Sequence, residues 1–200
     1  MATGKRIAVL VGSLRRESYT RKYARALIEM APKALDMRIV EIGDLPLYNQ
    51  DLDDENRPPA QWTAFRDAVR PVDGVLFATP EYNRSVPGVL KNAIDVGSRP
   101  YGKSVWSHKP CAVISVSPGA IGGFGANHHL RQSLVFLDMP VLQQPEAYIG
   151  GADKALADGR ITRPETREFL GKFLQAFAAW VERNVHAQAE AERPRAQASR

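Results

Sequence analysis

The stretch VLVGSLRRESYTRK, Val9 to Lys22, runs from an apolar segment into a loop holding one glycine, several hydroxyls and two adjacent arginines. A glycine–serine turn between a buried strand and a helix points to an anion site. The first N–H groups of a helix lack intrahelical partners and carry partial positive charge. The spacing matches neither the P-loop G-x-x-x-x-G-K-[ST] nor the dinucleotide pattern G-x-G-x-x-G. Ser13, Ser18 and Thr20 can donate hydroxyl hydrogen bonds, and Arg15 can donate a charge-assisted fork. Side chains would thus surround the anion, which suits a terminal phosphate monoester with more oxygens to satisfy. On this loop alone a second reading stays open, with Ser18 only an N-cap and both arginines solvated.

Working outward, short apolar runs recur at Ile7–Val11, Met37–Ile42, Gly74–Thr79 and Cys111–Val116, with a weaker pair within Pro140–Gly150. The first, third and fourth are almost continuously apolar, as expected of central parallel strands covered on both faces. Between them Tyr23, Leu27, Ile28 and Ala31 repeat at helical spacing, as do Val89, Leu90, Ala93 and Ile94. A last stripe holds Phe169, Leu170, Phe173, Leu174, Phe177 and Val181 and reads as core. Such alternation predicts a doubly wound α/β domain, whose ligands bind at the carboxyl ends of the strands. Gly43–Pro59, with three prolines and the carboxylates Asp51, Asp53, Asp54 and Glu55, reads as a surface loop with a solvated acidic face. Residues 1–186 are expected to form one domain, and 187–200, rich in Ala, Gln, Glu and Arg, a disordered tail.

Composition narrows the function classes. An apolar fraction of 44% and a charged fraction of 24% are ordinary for a globular protein, and no apolar run approaches a membrane span. The apolar run near the start is too short for a signal peptide and reads as a strand, so the expected compartment is the cytoplasm. One cysteine, Cys111, excludes an internal disulfide and a cysteine-rich metal site. The net charge of +5 is spread along the chain, densest between Lys5 and Arg25, without a long basic block. A basic cleft for anionic small molecules is therefore expected, and no nucleic-acid partner.

Two further loops follow central strands. TPEYNRSVPGVLKNAIDV, Thr79 to Val96, is stiffened by Pro80 and Pro87, so its helix can begin only near Pro87. Backbone groups of Pro80, Glu81, Tyr82 and Asn83 would face the cleft and could read the edge of a planar heterocycle, with Tyr82 as an aromatic wall. SVSPGAIGGFGANHHLRQ, Ser115 to Gln132, contains Gly119, Gly122, Gly123 and Gly125, which allow close approach to a flat ligand. Ser117, Gly122 and Gly123 are its candidates.

The phrases GSLRRESYTRK, TPEYNRSVPGVLKNAID, IGG…HLRQ and FLDMPVLQQPE together resemble the NADPH-dependent FMN reductase family, most closely its chromate- and quinone-reducing flavoproteins. The resemblance covers roughly Lys5 to Trp180. It implies a flavodoxin-like three-layer sandwich around a five-stranded parallel sheet of order 2-1-3-4-5, holding FMN noncovalently. It further implies that Ser13, Arg15, Ser18 and Thr20 hold the FMN phosphate. Pro80, Glu81, Tyr82 and Asn83 would border the isoalloxazine, with Ser117, Gly122 and Gly123 at its other edge. NADPH or NADH would deliver hydride to flavin N5, and a quinone, free flavin, azo compound or metal oxyanion such as chromate would take the electrons. The flavin carries that chemistry, with no catalytic side chain and Ser117 in support. A homodimer or homotetramer is implied. Many relatives carry asparagine at Thr20 and tyrosine at Arg84, and a close branch has an intersubunit network from which only Glu146 remains here, beside Gly125 and His128. The alternative function, a flavodoxin-like electron carrier, fits poorly with a basic chain and Arg15 in the phosphate loop.

Other matches lack the required context. GSRPYGKS, Gly97 to Ser104, fits the P-loop letters, but a helix precedes it and a strand follows. His128 and His129 are adjacent, point apart on a helix and form no metal pair. Cys111 reads as a buried small hydrophobe, and Trp62, Trp106 and Trp180 as packing residues.

Overall fold

A computed structural model describes residues 4–157 and 159–191. Five parallel strands, β1 (Lys5–Val11), β2 (Leu35–Ile39), β3 (Gly74–Thr79), β4 (Cys111–Val116) and β5 (Ala147–Ile149), form a sheet of order β2-β1-β3-β4-β5. The helices are α1 (Tyr19–Met30), α2 (Gln50–Asp54), α3 (Ala60–Val69), α4 (Gly88–Gly97), α5 (Phe124–Phe136) and α6 (Pro164–Ala191). A two-stranded antiparallel ribbon, β6 (Leu156–Ala157) and β7 (Arg160–Ile161), precedes α6. No part of the sequence reading anticipated it.

Period-two alternation sorts each central strand's side chains onto two faces. Ile7, Val9 and Val11, then Leu76 and Ala78, then Ala112, Ile114 and Val116 share one core with Tyr23 and Leu27 of α1 and Phe173, Leu174 and Phe177 of α6. Leu10, Val75, Phe77, Cys111 and Val113 share the other with Trp62 and Phe65 of α3, Leu90 and Ile94 of α4, and Leu130 and Leu134 of α5. These two cores make the three layers. The order reverses between β1 and β3, which makes the carboxyl ends of β1, β3 and β4 the edge where ligands of such sheets bind.

Several boundaries differ from expectation. Strand β2 begins earlier, at Leu35, because parallel pairing with β1 fixes its register at Lys5–Leu35 through Val9–Ile39. In the Pro140–Gly150 segment, Val141 makes only an isolated bridge to Cys111, and Ala147–Ile149 alone forms a strand. The Gly43–Pro59 segment contains the helical turn α2, and its carboxylates do not all face water. The Asp53 side chain is buried, its two oxygens accepting from Arg66 at 2.8 and 2.7 Å, while Arg66 Nε donates to the Val96 carbonyl. Asn92 fastens the same segment, accepting from Tyr48 N–H at 2.8 Å and donating to the carbonyls of Leu45 and Pro46. The expected tail, 187–200, is described only as far as Ala191, where α6 is still helical; its remainder lies outside the described residues.

GSRPYGKS begins at the last residue of α4 and runs toward β4, reversing the strand–loop–helix order a P-loop needs. Its first glycine serves packing. A Cβ on Gly97 would overlap the indole of Trp106, which is fully buried and donates from Nε1 to the Ile94 carbonyl at 2.9 Å. Trp62 is also fully buried, and Trp180 donates to the Pro140 carbonyl. Cys111 is inaccessible, and burial raises its thiol pKa.

Candidate functional site

The site is built from the loops after β1, β3 and β4, and packing draws the first two together. Gly12 donates its N–H to the Ala78 carbonyl at 2.8 Å, and a Cβ on it would lie 3.1 Å from Leu90 and 3.2 Å from Pro80. Leu14, Arg15 and Arg16 then turn outward, while Ser13, Ser18 and Thr20 stay buried at 2–3% exposure.

Ser18 is the N-cap of α1: its Oγ accepts from Arg21 N–H at 3.1 Å. The backbone N–H groups of Tyr19 and Thr20 have no acceptor among the described residues. Neither do the Ser13 and Thr20 hydroxyls bond to any described group. Two free N–H groups and two uncommitted hydroxyls at a helix N-terminus form an anion cradle. The surrounding cations are not equivalent. Arg21 binds Glu41 bidentately at 2.7 Å, which raises the pKa of the guanidinium and lowers that of the carboxyl. Lys22 pairs with Glu17. Arg15 and Arg16 form no ion pair among the described residues and remain available to an anion.

In the second loop, reciprocal backbone bonds between Tyr82 and Ser85 close a two-residue turn with Asn83 and Arg84 at φ of +50° and +63°. Positive φ at both central positions is the hairpin-type turn that glycine or asparagine ordinarily fills, so Arg84 is strained there. The turn leaves Tyr82 45% exposed at the rim, and Ser85 Oγ lies 3.0 Å from His129 Nδ1. The Glu81 carboxylate is directed at α5, where Oε2 accepts the Ala126 N–H at 3.0 Å.

The third loop interlocks with β5. Ser117 donates its N–H to Ile149 and accepts from Ala152 through its carbonyl, while its Oγ accepts Gly119 N–H at 3.0 Å. Gly122, at φ +61°, is pressed against the Tyr148–Gly150 backbone, and a Cβ there would come to 2.7 Å. Gly123, at φ +76°, lies over the Ser115 side chain, its Cβ position 3.1 Å from that of Ser115. Both glycines are therefore demanded by conformation and strand contact, before any ligand is considered.

Beside this loop, His128 Nε2 lies 2.9 Å from the Tyr148 hydroxyl, and Phe124 packs on the imidazole. Burial, reinforced by neighbouring Glu146, pushes the Tyr148 pKa up to about 12. His128 thus has a hydrogen-bond partner that sequence spacing did not identify.

The sequence reading also missed the segment after β2 as a flank of the loop after β1. Gly43 lies against Leu14, and Glu41 holds Arg21. The three prolines signalled a constrained segment, but nothing local showed which way it folds.

The family model described as NADPH-dependent FMN reductase matches residues 5–154. The chain is 66% identical over 178 residues to a quinone reductase of Pseudomonas putida, covering 89% of this chain and 95% of the relative. It is 48% identical over 177 residues to a 2-hydroxy-1,4-benzoquinone reductase of a Burkholderia species, covering 88% and 96%. Among solved structures, the flavoenzyme NAD(P)H:(acceptor) oxidoreductase FerB of Paracoccus denitrificans superposes with a TM-score of 0.83 at 42% identity, covering 90% of this chain and 98% of that one.

Proposed function

Because the chain belongs to the NADPH-dependent FMN reductase family, we propose that its cleft holds FMN and passes electrons from NAD(P)H to a small quinone. It is a flavin-dependent NAD(P)H oxidoreductase with a flavodoxin-like fold. The residues assigned to each end of the cofactor, the quinone, the compartment and the assembly are the proposed parts.

The cradle at the start of α1 carries the reading. Ser13 and Thr20 hydroxyls, the N–H groups of Tyr19 and Thr20, and the outward Arg15 offer neutral and charged donors that match a phosphate monoester. Ser18 has already used an acceptor lone pair on Arg21 N–H, and its hydroxyl proton remains to be donated. Pro80, Tyr82 and Asn83 would border the ring, Glu81 through its backbone alone, since its carboxylate is engaged with α5. Ser117 fits the opposite edge for the same reason as Ser18: its oxygen accepts Gly119 N–H, which frees the proton for an electron-rich ligand edge. Gly122 and Gly123 shape that edge through their positive-φ backbone, which seats the loop against β5 and Ser115.

Bound FMN supplies the hydride-accepting centre. The chain's own contribution is to hold the phosphate, flank the ring and donate hydrogen bonds where negative charge grows. No side chain is required as nucleophile or general base. Quinone is the acceptor class named for both the Pseudomonas and Burkholderia relatives, and a shallow rim with Tyr82 exposed suits a flat aromatic acceptor.

No helix among the described residues is long and apolar enough to cross a membrane, and the cytoplasm is the proposed compartment. Assembly as a homodimer or homotetramer is proposed as well, supported by Val135 and Phe136, 69% and 86% exposed on α5.

The test is the visible spectrum of the purified protein under anaerobic conditions. A yellow flavin bleached by NADPH within seconds and restored by benzoquinone is expected. Colourless protein that rejects added FMN would overturn the cofactor assignment, and a flavin that NADPH leaves oxidised would favour an electron carrier. If Ser117→Ala leaves both FMN affinity and steady-state rate unchanged, the role of Ser117 is discarded.

A further inference from the structure

One side chain joins two of the three loops. Glu81 stands just beyond β3, yet its Oε2 accepts the N–H of Ala126, in the first turn of α5. That helix has no cap of its own: its N-cap residue is Gly123, and its first turn contains no acidic residue. Glu81 supplies both missing elements from another loop, an acceptor for an orphan donor and a negative charge at the positive end of the helix dipole.

The surroundings fit the carboxylate closely. The Glu81 side chain is 13% exposed. A Cβ on Gly125 would lie 3.0 Å from its Oε2 and 2.8 Å from the Arg84 carbonyl oxygen, and one on Gly123 would lie 3.6 Å from Glu81 Cβ. Glycine at both positions lets the second loop seat on the helix. The other carboxylate oxygen lies 3.7 Å from Arg84 Nη1, which leans back from the strained turn.

We propose that Glu81 is a positioning residue of the flavin cleft: its clasp on Ala126 fixes the separation of the Pro80–Asn83 and Ser117–Gly123 walls, and its charge makes the bound ring harder to reduce. This rests on the FMN reading above. Without the clasp, the Ser85 Oγ–His129 Nδ1 contact, one turn further along α5 and exposed, still joins the turn to the helix. The first turn of α5 nevertheless loses its tie to the residue next to β3, and the separation of the two walls is less closely fixed. The charge acts because reduction adds negative charge to the ring, which a carboxylate in the adjoining wall opposes.

Glu81→Gln and Glu81→Ala separate the two effects. Glutamine keeps an acceptor for Ala126 but removes the charge, so FMN should bind within about threefold of the parent while the flavin midpoint potential shifts positive. Alanine removes both, and FMN affinity should fall about tenfold or more, with Ala126 amide exchange in the apoprotein accelerated to a similar degree. An alanine variant that binds FMN like the parent, or a glutamine variant whose potential does not move, overturns the proposal. If the parent itself takes up no FMN, the cofactor reading fails, and Ala126 exchange in the apoprotein decides the clasp: acceleration upholds it and an unchanged rate refutes it.

Discussion

Removing the Arg15 guanidinium should weaken FMN while leaving riboflavin, which has the same ring and no phosphate, unaffected. Arg15 is exposed and forms no ion pair among the described residues, so Arg15→Ala removes the proposed phosphate ligand without breaking an internal ion pair. A hydrogen bond to a charged group contributes about 1.5–3 kcal/mol, and solvent exposure places Arg15 at the lower end, near a tenfold rise in the FMN dissociation constant. Thr20 is the internal comparison. Its hydroxyl is neutral and buried, so Thr20→Val should cost about 1 kcal/mol, roughly fivefold. Salt separates the two further. Raising ionic strength from about 0.1 to about 1 M shortens the screening length from about 10 to about 3 Å, which should shrink the Arg15 effect and spare that of Thr20. Fluorescence titration of the apoprotein with each ligand reads all of this. Equal losses for FMN and riboflavin, or no loss for FMN, would refute the phosphate assignment.

Asp53→Ala leaves the Arg66 guanidinium buried and half-partnered, and should destabilise the fold by about 3–5 kcal/mol in denaturant unfolding. Gly97→Ala drives a methyl into the Trp106 indole; a loss of about 1–3 kcal/mol is expected, with a changed near-UV signal from that tryptophan. Burial pushes the Tyr23 phenol up to about 12 from an ordinary 10. The folded state therefore keeps a proton that the unfolded state releases, and stability should fall as pH rises from 10 through 12. Tyr23→Phe should flatten that fall, and an unchanged slope would remove Tyr23 as its cause.

Much of the cleft was legible because its signals are local. A buried strand, a glycine–serine turn and Ser18 at an N-cap position lie within a dozen residues, and so do Pro80, Pro87 and the start of α4. Asp53 shows the opposite case. In sequence it is one carboxylate in an acidic run, and its partner Arg66 lies on the next helix, so its burial is set by how α2 folds back. The glycine-rich loop is intermediate. Its need for glycine was plain, but the reason, contact with β5 at Gly122 and with Ser115 at Gly123, depends on strand order.

The sequence by itself determined the alternation of strands and helices, the apolar cores and the three loops at the carboxyl ends of the central strands, because hydrophobic period and turn residues act over a few positions. The opening stretch, VLVGSLRRESYTRK, belongs to that class: its strand, turn and N-cap are written in consecutive residues. Only the tertiary structure decided which donors around it stay uncommitted, that Arg21 is consumed by Glu41, and that Glu81 reaches across to Ala126. Those are pairings between segments tens of residues apart, and a hydrogen bond or ion pair is satisfied by position in space, which no local pattern encodes.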